Sequence, residues 1–186
     1  MKILAISGSL RKRSKNTTVV YAAVRLAPAG AEVLVYEELG DLPLFNPDLD
    51  DLDSGTAPAP VLAFRAKLRA SDGVFICSPE YGHGVSGVMK NAIDWLFGSG
   101  EFIDKPTVLF NASPTSRYAH PALLETLTVI GGQVIEGALP RRLAEKDNSV
   151  DAILAQPELA GALQRSLREL AAAITPRVQV ATPVLR

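Results

Sequence analysis

The chain has 186 residues, 47% of them hydrophobic, and its 19 Lys and Arg nearly balance 20 Asp and Glu for a formal net charge of -1. That length suits one domain with a sizeable apolar core, so residues 1–186 are read as a single unit. The near-neutral charge supplies no long-range field to draw nucleic acid, and the apolar runs are far shorter than the roughly 20 residues a membrane helix requires, so neither nucleic acid nor membrane is an expected partner.

Met1-Lys2-Ile3-Leu4 leads directly into the first strand pattern, Ile3 to Ile6, with no leader-like segment ahead of it. A polar stretch from Ser7 to Thr17 precedes a helix expected over Thr18 to Leu26, and Val33 to Val35 form the second strand. The acidic, proline-containing run Gly40 to Pro60 reads as a long surface loop. Val61, Phe64 and Leu68 then make a helical stripe before the third strand, Val74 to Cys77.

Helical spacing returns over Val88 to Trp95, and Val108 to Phe110 make the fourth strand. Leu123, Leu127 and Ile130 give another stripe ahead of the fifth strand, Val134 to Ile135. Pro140 to Asp151 is charged and lacks a period, so it reads as a second long surface loop. Leu159, Leu163, Leu167 and Leu170 mark the last helix. Gly30, Gly73 and Gly131-Gly132 stand just before strands and read as punctuation. Cys77 has no partner for a disulfide, and with only His83 and His120 beside it no zinc site is expected; a reducing cytoplasm fits such a chain.

Short apolar strands alternating with helices specify an α/β fold with a parallel sheet covered on both faces. Five strands suit the three-layer flavodoxin-like arrangement, order 2-1-3-4-5, in which ligands bind beyond the strand carboxyl ends at the switch point.

Three strand ends carry candidate chemistry. After the first, Ser9, Ser14, Asn16 and Thr17 offer donors and Arg11 a bidentate cation, at a turn entering a helix whose N-terminus favours anions. The G-x-x-x-x-G-K-[ST] pattern is absent and no G-x-G-x-x-G follows this strand, which makes a monophosphate a better fit than ATP or a dinucleotide; the same residues also suit an ordinary helix cap. After the third strand, Pro79, Glu80, Tyr81, Gly82 and His83 form a turn able to present a flat wall and backbone groups to a ring. Gly82, Gly84 and Gly87 there mimic a dinucleotide fingerprint, but no acidic residue ends the following strand. After the fourth strand, Ser113 and Thr115 lie among short polar residues, and Tyr118 with His83 could shape an acceptor pocket. Cys77, inside a strand pattern, reads as a small core residue.

At these residues the chain resembles the NAD(P)H-dependent FMN reductase family, which includes bacterial quinone, azo-dye and chromate reductases. Gly8-Ser9-Leu10-Arg11 with Ser14 and Asn16 is similar to that family's phosphate motif, and Pro79-Glu80-Tyr81 followed by Gly87 and Lys90 to Trp95 to its flavin platform. Asp41 to Asp48 resembles the loop near the flavin and the subunit contact of a dimer. The resemblance implies FMN held by Ser9, Arg11, Ser14, Asn16 and Thr17 at the phosphate, with Pro79 to His83 and the Ser113 loop around the ring. It implies NADPH or NADH as hydride donor, a small quinone-like acceptor, a homodimer or homotetramer, and no catalytic side chain, since the flavin carries the chemistry. A flavin-binding electron carrier without nicotinamide turnover is the alternative. Gly82-His83 departs from the Asn common in relatives, and Ser116 to His120 lacks their glycine pair.

Overall fold

In the computed structural model, residues 1–51 and 53–180 are described, with side chains to 175. Five parallel strands form the main sheet in the order β2-β1-β3-β6-β7: β1 (Lys2–Ser7), β2 (Glu32–Tyr36), β3 (Gly73–Cys77), β6 (Pro106–Asn111) and β7 (Gln133–Ala138). A separate two-stranded hairpin, β4 (Glu80–Tyr81) and β5 (Gly84–Val85), follows β3. With the hairpin set aside, this is the expected 2-1-3-4-5 order.

The consecutive apolar residues of the strands are explained by the two layers that cover the sheet. Ile3 and Ala5 face one core with Val19, Leu163 and Leu167, whereas Leu4 and Ile6 face the other with Phe64, Ile93 and Leu127. The first core is covered by α1 (Lys15–Arg25), α5 (Val150–Leu154) and α6 (Pro157–Val180), the second by α2 (Ala59–Arg69), α3 (Gly87–Asp94) and α4 (Ala119–Val129). Because side chains alternate across a strand, β1 and β3 must be apolar on both faces. Among the described residues, no helix is long and apolar enough to cross a membrane.

Two local readings need correction and two are refined. Helix α1 begins at Lys15, not Thr18, because Ser14 caps it by accepting a bond from Thr17 N–H at 3.3 Å. Gly73 is more than punctuation: it opens β3, and a Cβ there would lie 2.7 Å from Ile174 Cδ1 and 3.1 Å from the Pro106 carbonyl oxygen. The Gly40 to Pro60 run is the expected surface loop, but it is docked on the body of the fold: it buries Leu42 and places Asp50 against Arg65 with the two side chains 5% and 6% exposed. Likewise Pro140 to Asp151 contains a short 3-10 turn at Glu145–Asp147 and the start of α5, and it buries Leu143.

Candidate functional site

The carboxyl ends of β1, β3 and β6 open into one cleft of about 320 Å³. Its construction begins at Gly8, whose N–H donates to the Cys77 carbonyl at 2.9 Å and whose carbonyl accepts from the Ser86 hydroxyl at 2.7 Å. The loops leaving β1 and β3 are thereby pressed together. A Cβ at Gly8 would lie 2.3 Å from Ser78 Oγ, so only glycine permits the approach.

From Gly8 the chain turns through Ser9 and Arg11 to the Ser14 cap, and the first turn of α1 presents N–H groups that no helical carbonyl can satisfy. Ser9, Arg11, Ser14 and Asn16 all line the cleft there. Asn16 Oδ1 accepts from the Cys77 thiol at 3.3 Å, which commits its acceptor and leaves its amide N–H groups for a ligand. Among the described residues, the Arg11 guanidinium has no protein partner. Thr17 behaves differently: its hydroxyl meets Ser7 Oγ at 2.8 Å, and it does not line the cleft.

Pro79, Glu80 and Tyr81 line the cleft from the β3 side, and Ser113 and Thr115 from the β6 side. Gly82 and His83 stand outside it as the two-residue turn of the β4–β5 hairpin, with φ of 55° and 62°. Positive φ at both central residues is what a type I′ hairpin turn demands, and Gly followed by His meets it. His83 instead stacks on Tyr118 with ring centroids 4.2 Å apart, forming an exposed aromatic pair outside the cleft lining.

Glu80 is a clamp between the loops. Its Oε2 accepts from the Ser116 hydroxyl and from the N–H groups of Arg117, Tyr118 and Ala119 at 2.8–3.0 Å. This caps the start of α4 from a residue far away in sequence. The Ala119 and Tyr118 N–H groups, helped by Ser116 and Arg117, hold the carboxyl well below its ordinary range, at about 2. Cys77 is the opposite case: burial pushes its thiol far up, so a thiolate is not formed there.

Residues that the sequence reading missed fall into two groups. Lys15, Ser78, Asn111 and Ser116 are neighbours of the expected ones on the same loops. Arg142 and Glu145 reach the cleft from the segment after β7, where the sequence signalled only an aperiodic loop. The 43–45 stretch is docked on α3: Pro43 O accepts from Asn91 Nδ2 at 2.9 Å and Trp95 Nε1 at 2.8 Å, and Phe45 N–H donates to Asn91 Oδ1 at 2.8 Å.

The cleft thus offers a capped helix N-terminus, hydroxyl and amide donors and cations. The same cleft is lined by Pro79, Ala112 and Tyr81, whose hydroxyl lies 3.4 Å from Ser9 Oγ, and its volume lies in the range of cofactor pockets. These residues fit a phosphorylated ring compound. The family model for NADPH-dependent FMN reductases matches residues 1–142.

This chain belongs to that family. Within the NADPH-dependent FMN reductases and their neighbours, it is 39% identical over 115 residues to an NAD(P)H-dependent FMN reductase of Pseudomonas aeruginosa, covering 61% of this chain and 60% of that protein. It is 35% identical over 134 residues to the quinone reductase of Escherichia coli, covering 71% of this chain and 63% of that one. A probable NADPH:quinone oxidoreductase of rice, Oryza sativa, is 43% identical over 97 residues, 51% of this chain and 47% of its own length. The alignments thus span between about half and somewhat under two thirds of these relatives. Among solved structures, the flavoenzyme NAD(P)H:(acceptor) oxidoreductase from Paracoccus denitrificans superposes with a TM-score of 0.74 at 27% identity, covering 94% of this chain and 97% of that one.

Proposed function

We propose that this protein is an NAD(P)H-dependent reductase that binds FMN in the cleft at the ends of β1, β3 and β6 and passes electrons to a small quinone-like oxidant. The observation that carries the reading is the capped N-terminus of α1 meeting, in one cleft, the Arg11 guanidinium and the Asn16 amide donors, neither with a partner among the described residues. A phosphate dianion calls for that combination of backbone donors, side-chain donors and a planar cation. Family membership and the quinone reductase names of relatives support the rest.

Bound FMN would supply the redox chemistry itself, accepting hydride from the nicotinamide and delivering electrons to the acceptor. The chain's own part is to hold and orient. Ser9, Ser14, Asn16 and Arg11 take the phosphate end, with Thr17 holding the turn through Ser7. Pro79 and Tyr81 on one side and Ser113 and Thr115 on the other face the ring. Glu80 keeps those two walls in register, and the His83–Tyr118 pair borders the space where an acceptor approaches. No side chain is assigned a proton-transfer role.

The reading extends to a homodimer or homotetramer, working in a reducing compartment such as the cytoplasm. Leu44, within the docked 43–45 stretch, and Leu49 after it are 84% and 50% exposed, apolar surface of the kind a second subunit covers. The test is to titrate FMN by absorbance and calorimetry and then follow NADPH and NADH oxidation with benzoquinone. Tight FMN binding with turnover is expected. Binding without nicotinamide oxidation would make the protein an electron carrier, and absence of FMN binding would remove the reading altogether.

A further inference from the structure

The segment after β7 is pinned to the turn that enters α1. Lys15 Nζ donates to the Leu143 carbonyl at 2.6 Å, Thr18 Oγ1 donates to Asn148 Oδ1 at 2.9 Å, and Asn148 Nδ2 donates to the Arg13 carbonyl at 3.3 Å. Asn148 spends both halves of its amide on this strap. Leu143 adds an apolar anchor in the core at 1% exposure.

Arg142 sits between two fixed neighbours. On one side Leu143 is buried; on the other the Arg141 guanidinium is held by Asp147 at 3.1 Å and by Gln156. The backbone at Arg142 is therefore set, and its side chain lines the cleft. Among the described residues its guanidinium has no partner, in contrast to Arg141 beside it and Arg65 in the core. The cleft holds the cations Arg11, Lys15 and Arg142 against the carboxylates Glu80 and Glu145, with Glu145 lying 3.8 Å from Lys15. It is positive before the helix terminus is counted.

We infer that Arg142 is a second phosphoryl-binding cation, closing on a phosphomonoester from the strap side while Arg11 approaches from the β1 turn. A guanidinium fork suits two phosphate oxygens at once, and a cation whose backbone is fixed by its neighbours loses less freedom on binding than one on a free loop. The inference rests on the flavin reading of the cleft. The phosphomonoester is that of FMN or that of NADPH, and the experiment distinguishes them.

Arg142→Ala and Arg142→Lys are titrated with FMN and with riboflavin, which lacks the phosphate, and KM is measured for NADPH and NADH. Arg142→Ala is expected to weaken FMN by about tenfold and leave riboflavin unchanged, and to flatten the dependence of FMN affinity on salt; Arg142→Lys should fall between. Unchanged FMN affinity with KM raised for NADPH but not NADH would assign the same cation to the nucleotide's phosphate. Equal losses for FMN and riboflavin, or no change in any of these values, overturns the inference while leaving the flavin reading intact. A wild-type protein that binds no FMN removes the flavin reading itself.

Discussion

Arg11, Cys77 and Glu80 cluster around one cleft, yet each is set by a different local environment. Arg11 is exposed and, among the described residues, unpaired, so its interaction is reserved for a ligand; Arg11→Ala is expected to weaken FMN by about 1.5–3 kcal/mol, read by calorimetry, and to leave the melting temperature of the ligand-free protein unchanged. Cys77 is fully buried with its thiol pushed up, so iodoacetamide should label it only after denaturant unfolds the chain, as mass spectrometry would report. Labelling of the native protein at the rate of a free thiol would contradict that burial. Glu80, held at about 2 against an ordinary 4.5, contributes stability that is present above about pH 4.5 and lost as pH falls towards 2. Thermal melts of Glu80→Gln and wild type should therefore differ near neutrality and converge in acid. Glu80 also shows why its role was hidden in sequence: its acceptors' partners, Ser116 to Ala119, lie on another loop.

At the scale of elements, the acidic run after β2 is ordered by a buried ion pair. Arg65 of α2 reaches Asp50 with two bonds at 2.7 and 2.8 Å and also donates to the Trp95 carbonyl. Asp50→Asn would leave that guanidinium buried without its counter-charge, a loss expected to cost about 3–5 kcal/mol in denaturant unfolding. A much smaller value would mean that water reaches Arg65. The strap after β7 is held instead by hydrogen bonds to a turn more than a hundred residues earlier. Neither arrangement has a local signature, because proline, charge and an absent period describe an exposed loop and a docked one equally well. The helices are different: Leu159, Leu163, Leu167 and Leu170, all at 0% exposure, show that a strong 3.6-residue period is itself a record of burial.

For the whole molecule, cofactor binding and folding are linked through the cleft, since the β1, β3 and β6 loops and the strap meet only in the native state. FMN at a hundred times its dissociation constant should stabilise the fold by about 2.7 kcal/mol, seen as a rise in melting temperature. Riboflavin at the same concentration should give a smaller rise, because it cannot use the phosphate end. By itself the sequence determined the strand and helix alternation and the three strand-end loops that form most of the cleft, because periodic burial and the short polar turns at strand ends are local properties. Only the tertiary structure decided that Thr17 turns to Ser7, that Glu80 caps α4, that His83 stacks on Tyr118, and that Arg142 arrives at the cleft. Those outcomes depend on which distant donors, acceptors and apolar surfaces the fold brings within a few ångströms, and no spacing along the chain encodes them.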